Sequence, residues 1–452
     1  MRRRASVSAV LLAASLVAAS PAAAQTCTAR LICPTPPNTA ATVSEVIDTV
    51  FRTAGGFRPA EEPLLTEAEY NRRTRDSIEG IATGVGTALA SFPIASSSGF
   101  AYVIDPASGA PQLKSVSFGS TFVERSLTNG RGVLNMGVSY QHSAFDTLQG
   151  VDLKTTGFPA TSQLGKYLSG GTPDPRFDGM DVGDAFFVKL DMKSSVFVFS
   201  GSYGLSKQLD LGWAVPVASM SARGQFVREY NAALDYDVPG VRELYPNRSG
   251  SIVLADHAVD ATGIGDIVVR TKYGFGRSDR QIGMLMGEFR LPTGDEENLL
   301  GTGKTSFKIL GGGTQSFGIG SLNVNGGYTF GGLSDEVNFA AGTDVALLAR
   351  KQLTLNFDFI SQTLRDTVTG IETVISLDEV LGVGGPLPRE VVVSHRFWER
   401  GTTTLNRAAV GAKYQLGGSW LLTGSGLFRL NDNGYQAKFV GFVGLEHTWV
   451  AK

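Results

Sequence analysis

The sequence predicts an all-β fold: a transmembrane antiparallel β-barrel of about fourteen strands, preceded by a small helical N-terminal segment. Three observations predict it. The chain opens with a secretory leader, it then carries a long series of strand-length segments with alternating apolar and polar residues, and charges within those segments keep to one phase. Residues 1–24 read as the signal peptide, 25–97 as the helical segment and 98–452 as the barrel.

The leader has Arg2, Arg3 and Arg4 as its positive start, Val7 to Ala19 as its apolar stretch and Ala22-Ala23-Ala24 as small residues before a mature start at Gln25. No other run is apolar for the ~18 residues a membrane helix needs. A net charge of −2 gives no reason to expect nucleic acid, and a mean hydropathy of +0.03 suits a barrel, where alternation hides the apolar surface. Cys27 and Cys33 are the only cysteines, and an oxidising compartment would let them close a local disulfide. Two cysteines do not complete a metal site, and nothing in the pattern asks for a cofactor.

Between Gln25 and Ser97 the texture is helical. Thr42-x-x-Glu45 and Thr66-x-x-Glu69 are capping boxes. Val43, Val46, Ile47 and Val50 share one face behind the first, and Tyr70, Thr74, Ile78, Ile81, Val85 and Leu89 share one behind the second. The segment has two readings, a plug docked in the lumen and a periplasmic arm.

The strands follow in order. Ser98–Asp105 and Leu113–Glu124 form an expected first hairpin, then Arg131–Phe145, Asp184–Tyr203 and Gln208–Tyr230. Gly263–Phe275, Gln281–Leu291, Lys304–Phe317, Ser321–Phe330, Val337–Ala349 and Gln352–Leu364 continue the series. Thr404–Leu416, Trp420–Leu430 and Tyr435–Trp449 complete it. Tight connections at Leu205-Ser206-Lys207, Arg277-Ser278, Arg350-Lys351 and Gly417-Gly418 fall on one side. The long stretches 146–183, 231–262 and 365–403 fall on the other, as short periplasmic turns and long external loops should.

Charge assigns the faces, because Lys or Arg facing lipid at mid-bilayer costs up to ~2–4 kcal/mol. Asp266, Arg270 and Lys272 oppose Ile267, Val269, Tyr273 and Phe275; Asn356, Asp358 and Gln362 oppose Leu355, Phe357 and Phe359; Arg407 and Lys413 oppose Ala408, Val410 and Tyr414. The polar sets are expected to line the lumen. In Asp184–Tyr203 the even positions Phe186, Val188, Leu190, Met192, Val196 and Val198 read as the lipid face. The odd positions Lys189, Asp191 and Lys193, then Phe197 and Phe199, read as lumen lining, with the two phenylalanines either an apolar solute site or packing against the N-terminal helices. Trp213, Trp420, Trp449, Tyr203, Tyr273, Tyr414 and Tyr435 are expected in the interfacial girdles.

Several short stretches resemble the outer-membrane barrels labelled "MetA-pathway of phenol degradation". They are Phe118-Gly119, Tyr203-Gly204-Leu205 with Leu209-Asp210-Leu211-Gly212, Gly263-Ile264-Gly265-Asp266, Leu291-Pro292-Thr293-Gly294-Asp295 and Gly301-Thr302-Gly303. That family is similar in architecture to long-chain fatty-acid channels. The resemblance implies a bacterial outer-membrane location, contact with membrane lipid and lipopolysaccharide, and passive uptake of hydrophobic or aromatic compounds. The expected state is a monomer. Physically, Gly263 and Gly265 suit a crowded rim, and Pro292-Thr293-Gly294-Asp295 is a turn signal.

Other patterns fail. Gly301-Thr302-Gly303-Lys304-Thr305 lacks the first glycine of a phosphate loop and runs into a strand. Asp174, Asp178, Asp181 and Asp184 are not spaced as a calcium loop. A lipid hydrolase would need a serine beside a histidine. His142 adjoins Ser143, but alternation sends the two to opposite faces, so no catalytic residue is assigned and a pair across strands stays open. A structural or adhesin-like barrel is the remaining alternative.

Overall fold

In the computed structural model the described residues are 38–55, 67–90, 102–104, 111–113, 115, 117–169, 172–173, 182–230, 250–278, 280–347, 352–381 and 388–450. The signal peptide, Cys27, Cys33, Thr66, Asp174, Asp178 and Asp181 lie outside them.

Twelve antiparallel strands close a barrel. They are β1 (Val133–Leu148), β2 (Val182–Gly204), β3 (Leu209–Tyr230), β4 (Ile267–Ser278), β5 (Gln281–Leu291) and β6 (Ser306–Phe317), then β7 (Gly320–Gly331), β8 (Glu336–Ala346), β9 (Leu353–Leu381), β10 (Pro388–Gly417), β11 (Trp420–Arg429) and β12 (Tyr435–Val450). Neighbours in sequence pair in sequence, and β12 returns to β1 with Val450 opposite Val133. The count corrects the expected fourteen. Among the described residues Ser98–Asp105 and Leu113–Glu124 supply no wall strand: Tyr102–Ile104 and Pro111–Leu113 pair in a separate two-stranded sheet. Residues 117–132 run as irregular chain, with Ser120, Thr121, Val123 and Asn129 all fully buried. Alternation in that stretch reflects cover on every side, not a pleat with two environments. Losing both strands keeps the number even, so β1 begins and β12 ends on the side of the tight turns.

The belt is continuous. Phe197, Phe199, Phe275, Leu285, Phe289, Leu322, Phe339, Phe357, Val410, Phe428 and Val443 are all exposed around the outside. Within the same strands Asn135, Lys272, Glu288, Asn323, Asn325, Asp358, Gln362, Arg407 and Lys413 are buried inside. Apolar outside and polar inside is the pattern that lipid imposes on a closed barrel, and it identifies an outer-membrane protein.

The expected faces hold on β4, β9 and β10 and invert on β2. Phe197 and Phe199 are 48% and 53% exposed on the outer surface, while Phe186, Val188, Leu190, Met192 and Val198 are buried. The phase of β2 is constant; the medium outside it changes. Lys189, Asp191 and Lys193 belong to the same outward set and pair with Glu229 and Lys154 beyond the belt, where the wall stands in water. Charge reports the lumen only at bilayer depth, so none of these five residues lines the lumen. Tyr435 is also misplaced among the girdle residues. It is buried, stacked on Phe145 with centroids 5.2 Å apart, and its hydroxyl donates to the Phe145 carbonyl.

Where described, the long external connections are largely sheet. β9 and β10 run on together far past the belt, and Phe158–Ser169 fills the wall between β10 and β2. Gly250–Ile264 continues the wall above β4, pairing with β3 from Ile264 opposite Val217. The break at Gly265-Asp266 faces Pro216, which has no N–H for the ladder, and the Gly265 N–H donates to the Pro216 carbonyl at 2.9 Å. Above the rim of β5 to β8 neither Gly250–Ile264 nor the far half of β9 pairs with those four strands, which leaves a notch in the outer wall among the described residues.

Helices α1 (Val43–Gly55) and α2 (Glu67–Ala90) pack on the inner surface of the outer half. The first capping box forms: the Glu45 N–H donates to Thr42 Oγ1 at 3.1 Å, and the Glu45 carboxylate accepts from the Ala41 N–H at 2.5 Å. Val43, Ile47, Val50 and Phe51 are buried in one core with the inward face of β2, each worth roughly 1.5–3 kcal/mol, and Val46 is buried beside them. In α2 the buried side is Ser77, Ile81, Val85 and Ala88, and Ser77 Oγ accepts from the Trp398 N–H at 3.0 Å.

Candidate functional site: the lumen

The inner polar side chains stand in for the ladder that residues 117–132 lack. Asp358 Oδ2 accepts from the backbone N–H of Thr121 and of Phe122, at 3.1 and 2.9 Å. Asn325 accepts from the Glu124 N–H and donates to the Glu124 carbonyl, at 2.8 and 2.9 Å. Thr314, Asp210 and Thr354 accept from Ser126, Asn129 and Phe118. Lys413 Nζ donates to the Ser120 carbonyl at 2.8 Å, and Lys272 Nζ to Glu124 Oε1 at 2.7 Å. A buried irregular backbone is tolerable only with such partners. Gly342 makes room for it: a Cβ there would stand 2.4 Å from Asp358 Oδ1 and 2.6 Å from Ser120 Oγ. Asp358 therefore faces inward as expected, but its carboxylate holds backbone.

The connection between β5 and β6 also turns inward. Asp266 Oδ2 accepts from the Thr302 N–H and hydroxyl, at 2.8 and 2.7 Å, and Oδ1 accepts from the Gly294 N–H at 3.1 Å. Gly301 must be glycine, since a Cβ would lie 2.4 Å from Asp266 Oδ1 and 2.6 Å from Gly294 Cα. The Asn298 amide and neighbouring backbone N–H groups hold the Asp295 carboxyl below its ordinary range, against a smaller opposing effect of burial. Pro292-Thr293-Gly294-Asp295 thus opens a loop that carries Leu299 and Leu300 into the core.

Neighbouring voids share lining residues. One, about 1060 Å³ including open solvent, lies along β5 to β9 and is lined by Arg270, Glu288, Arg290, Lys308 and Glu336 together with Phe122, Met286 and Ile360. Arg270 Nε donates to Glu288 Oε2 at 2.7 Å. A second void of about 690 Å³ is mostly apolar, walled by Val196, Val198, Pro216, Ala218, Met220 and Leu300. A third, about 560 Å³, lies along β1, β2 and β12 beside Glu446. Arg290 borders the first and second, Arg270 the first and third, and Ala214 the second and third.

Of the expected lining residues, the voids meet Asp266 and Arg270. The apolar patch exists, made by the even residues of β2 and its neighbours instead of Phe197 and Phe199. Arg290 and Lys308 went unnoticed, although Glu288-Phe289-Arg290-Leu291 displays the same alternation as Asp266 to Lys272.

Serine and histidine do meet across strands. His142 Nδ1 lies 2.9 Å from Ser195 Oγ, which also accepts from the Tyr140 hydroxyl at 3.3 Å. The pair sits on the outer surface where Lys193 gives way to Phe197. β1 and β2 are paired on both edges, which consumes the N–H groups an oxyanion would need.

The chain matches no family model and none of the curated proteins. Among solved structures it is similar to an outer membrane channel from Pseudomonas putida F1, at 11% identity and a TM-score of 0.38 over 72% of this chain and 98% of that one. It is also similar to a Pseudomonas aeruginosa FadL homologue, at 12% identity and a TM-score of 0.27 over 70% of this chain and 88% of that one. The Ralstonia pickettii toluene transporter TbuX aligns at 13% identity and a TM-score of 0.23 over 71% of this chain and 89% of that one. These likenesses are distant, and the assignment to outer-membrane barrels rests on the closed strand ladder and apolar belt of the chain itself.

Proposed function

We propose that the chain is an outer-membrane channel for passive uptake of hydrophobic or aromatic small molecules. The observation that carries this reading is the apolar wall of Val196, Val198, Ala218, Met220 and Leu300 inside the lumen, next to a charged void that shares Arg290 with it. A solute enters under the notch, leaves water against that wall at roughly 25 cal/mol per Å² of apolar surface, and moves on past residues 117–132. The helical segment and the irregular chain act together as a plug whose displacement sets the passage. No energy-coupling step is required, because gain on entering the apolar void and loss on leaving it balance. The working unit is a monomer among lipid and lipopolysaccharide, and the short glycine motifs favour kinship with the MetA-pathway barrels.

The test is accumulation of labelled toluene and oleate in cells lacking the protein, against complemented cells. A protein-dependent gain for either supports the reading. Equal accumulation with the barrel present in the outer membrane overturns it.

A further inference from the structure

We propose that the preferred solute is a small amphiphilic anion, an apolar ring or short chain bearing one carboxylate, held by Arg290 and Lys308. This rests on the uptake reading above and narrows its substrate class. Arg290 and Lys308 both project from the inner face, on adjacent strands: Arg290 pairs with Ser306, and Lys308 lies two residues further along β6. Such diagonal neighbours are roughly 7–8 Å apart, close enough for two cations to share one carboxylate through their long side chains.

The nearby carboxylates make no direct ion pair with either. Glu288, directly opposite Lys308, is bound by Arg270 at 2.7 Å, and Glu124 is bound by Lys272 at 2.7 Å. Glu336 stands two strands from Lys308 in the row Lys308, Thr329, Glu336, and Asp266, on the apolar void beside Arg290, takes its hydrogen bonds from Thr302 and Gly294. Among the described residues no carboxylate closes an ion pair with Arg290 or Lys308. Both cations therefore keep donors for an incoming carboxylate.

Position supplies the second half of the argument. Arg290 borders both the charged vestibule and the apolar void. A solute whose ring rests on Val198, Ala218 and Met220 would place a carboxylate at that boundary. A neutral hydrocarbon would leave Arg290 and Lys308 facing water, and an inorganic anion would leave the apolar wall unused. Guanidinium and ammonium donors to a carboxylate are among the stronger protein hydrogen bonds.

The experiment compares two probes with the same ring, labelled benzoate and labelled benzyl alcohol. Initial uptake is measured in cells lacking the protein and complemented with wild type, Arg290→Gln/Lys308→Gln or Arg290→Glu, each checked for a folded barrel by heat-modifiable migration. The ratio of benzoate to benzyl alcohol uptake is expected to fall at least about fivefold in the double glutamine variant and further in Arg290→Glu. An unchanged ratio, with benzyl alcohol still entering through the wild type, overturns the carboxylate assignment alone. Absence of protein-dependent uptake of either probe by wild type overturns the uptake reading and this inference with it.

Discussion

Asp358 is the sharpest point at which to disturb the inner chain. Its Oδ2 accepts from two buried backbone N–H groups, those of Thr121 and Phe122. Asp358→Ala removes the acceptor, leaving the Phe122 N–H without one in a site closed to solvent and the Thr121 N–H with the Asn356 amide oxygen at 3.3 Å. One such donor costs about 1–3 kcal/mol, so the docking of residues 117–124 should weaken by about that much. Even the lower figure raises the population of locally opened chain about fivefold. Amide hydrogen exchange in detergent micelles reads this directly. Thr121 and Phe122 should exchange at least about fivefold faster, while Val410, in the ladder between β10 and the Asp358 strand, should hold its rate. Asp358→Asn keeps one acceptor oxygen and should fall between. Wild-type exchange at Thr121 and Phe122 in the alanine variant would refute the reasoning, because the lumen side chains would then not be what holds this backbone.

Further outcomes follow from the same geometry. Deleting Thr42 to Ala90 should raise single-channel conductance in planar bilayers if α1 and α2, which pack on the inner wall, act as the proposed plug; unchanged conductance would count against it. Phe199→Trp should be quenched by brominated lipid and Val198→Trp should not, and the reverse would restore the opposite assignment of faces on β2. Gly301→Ala should displace the β5–β6 connection by forcing Asp266 off Thr302, seen as faster maleimide labelling of Leu299→Cys in the Gly301→Ala background than in wild type. Lys272→Met removes a charge-assisted hydrogen bond from buried Glu124 and should cost about 1.5–3 kcal/mol of barrel stability, with Lys272→Met/Glu124→Met recovering part of it in thermal unfolding.

The barrel was legible because lipid enforces alternation. Gln281–Leu291 was delimited to the residue, and β7, β11 and β12 to within one or two. The same rule misled wherever lipid was absent. On β2 beyond Ser195 the outer medium is water and the inner one is α1, so the apolar face points inward and the charged one outward. Residues 250–262 and the far halves of β9 and β10 read as loops, because strands standing in water carry polar residues on their outer side. Leu113–Glu124 alternates without being a strand, since a chain threading the lumen meets both polar walls and its own apolar neighbours. At the candidate site, Asp266 and Arg270 showed themselves by phase, and the motif glycines by the close approach of Gly294 to Gly301. The apolar void did not, because Val198 lies on β2 and Ala218 and Met220 on β3, and only register brings them together.

The most direct measurement is the initial rate of labelled toluene uptake by intact cells carrying either wild type or Ala218→Trp, an exchange that fills the apolar void from its own wall. The account predicts a rate well above that of cells lacking the protein for wild type, and a fall towards that background for the tryptophan variant at equal amounts of folded barrel. A tryptophan variant as fast as wild type would contradict it, and would place the path of the solute elsewhere in the wall.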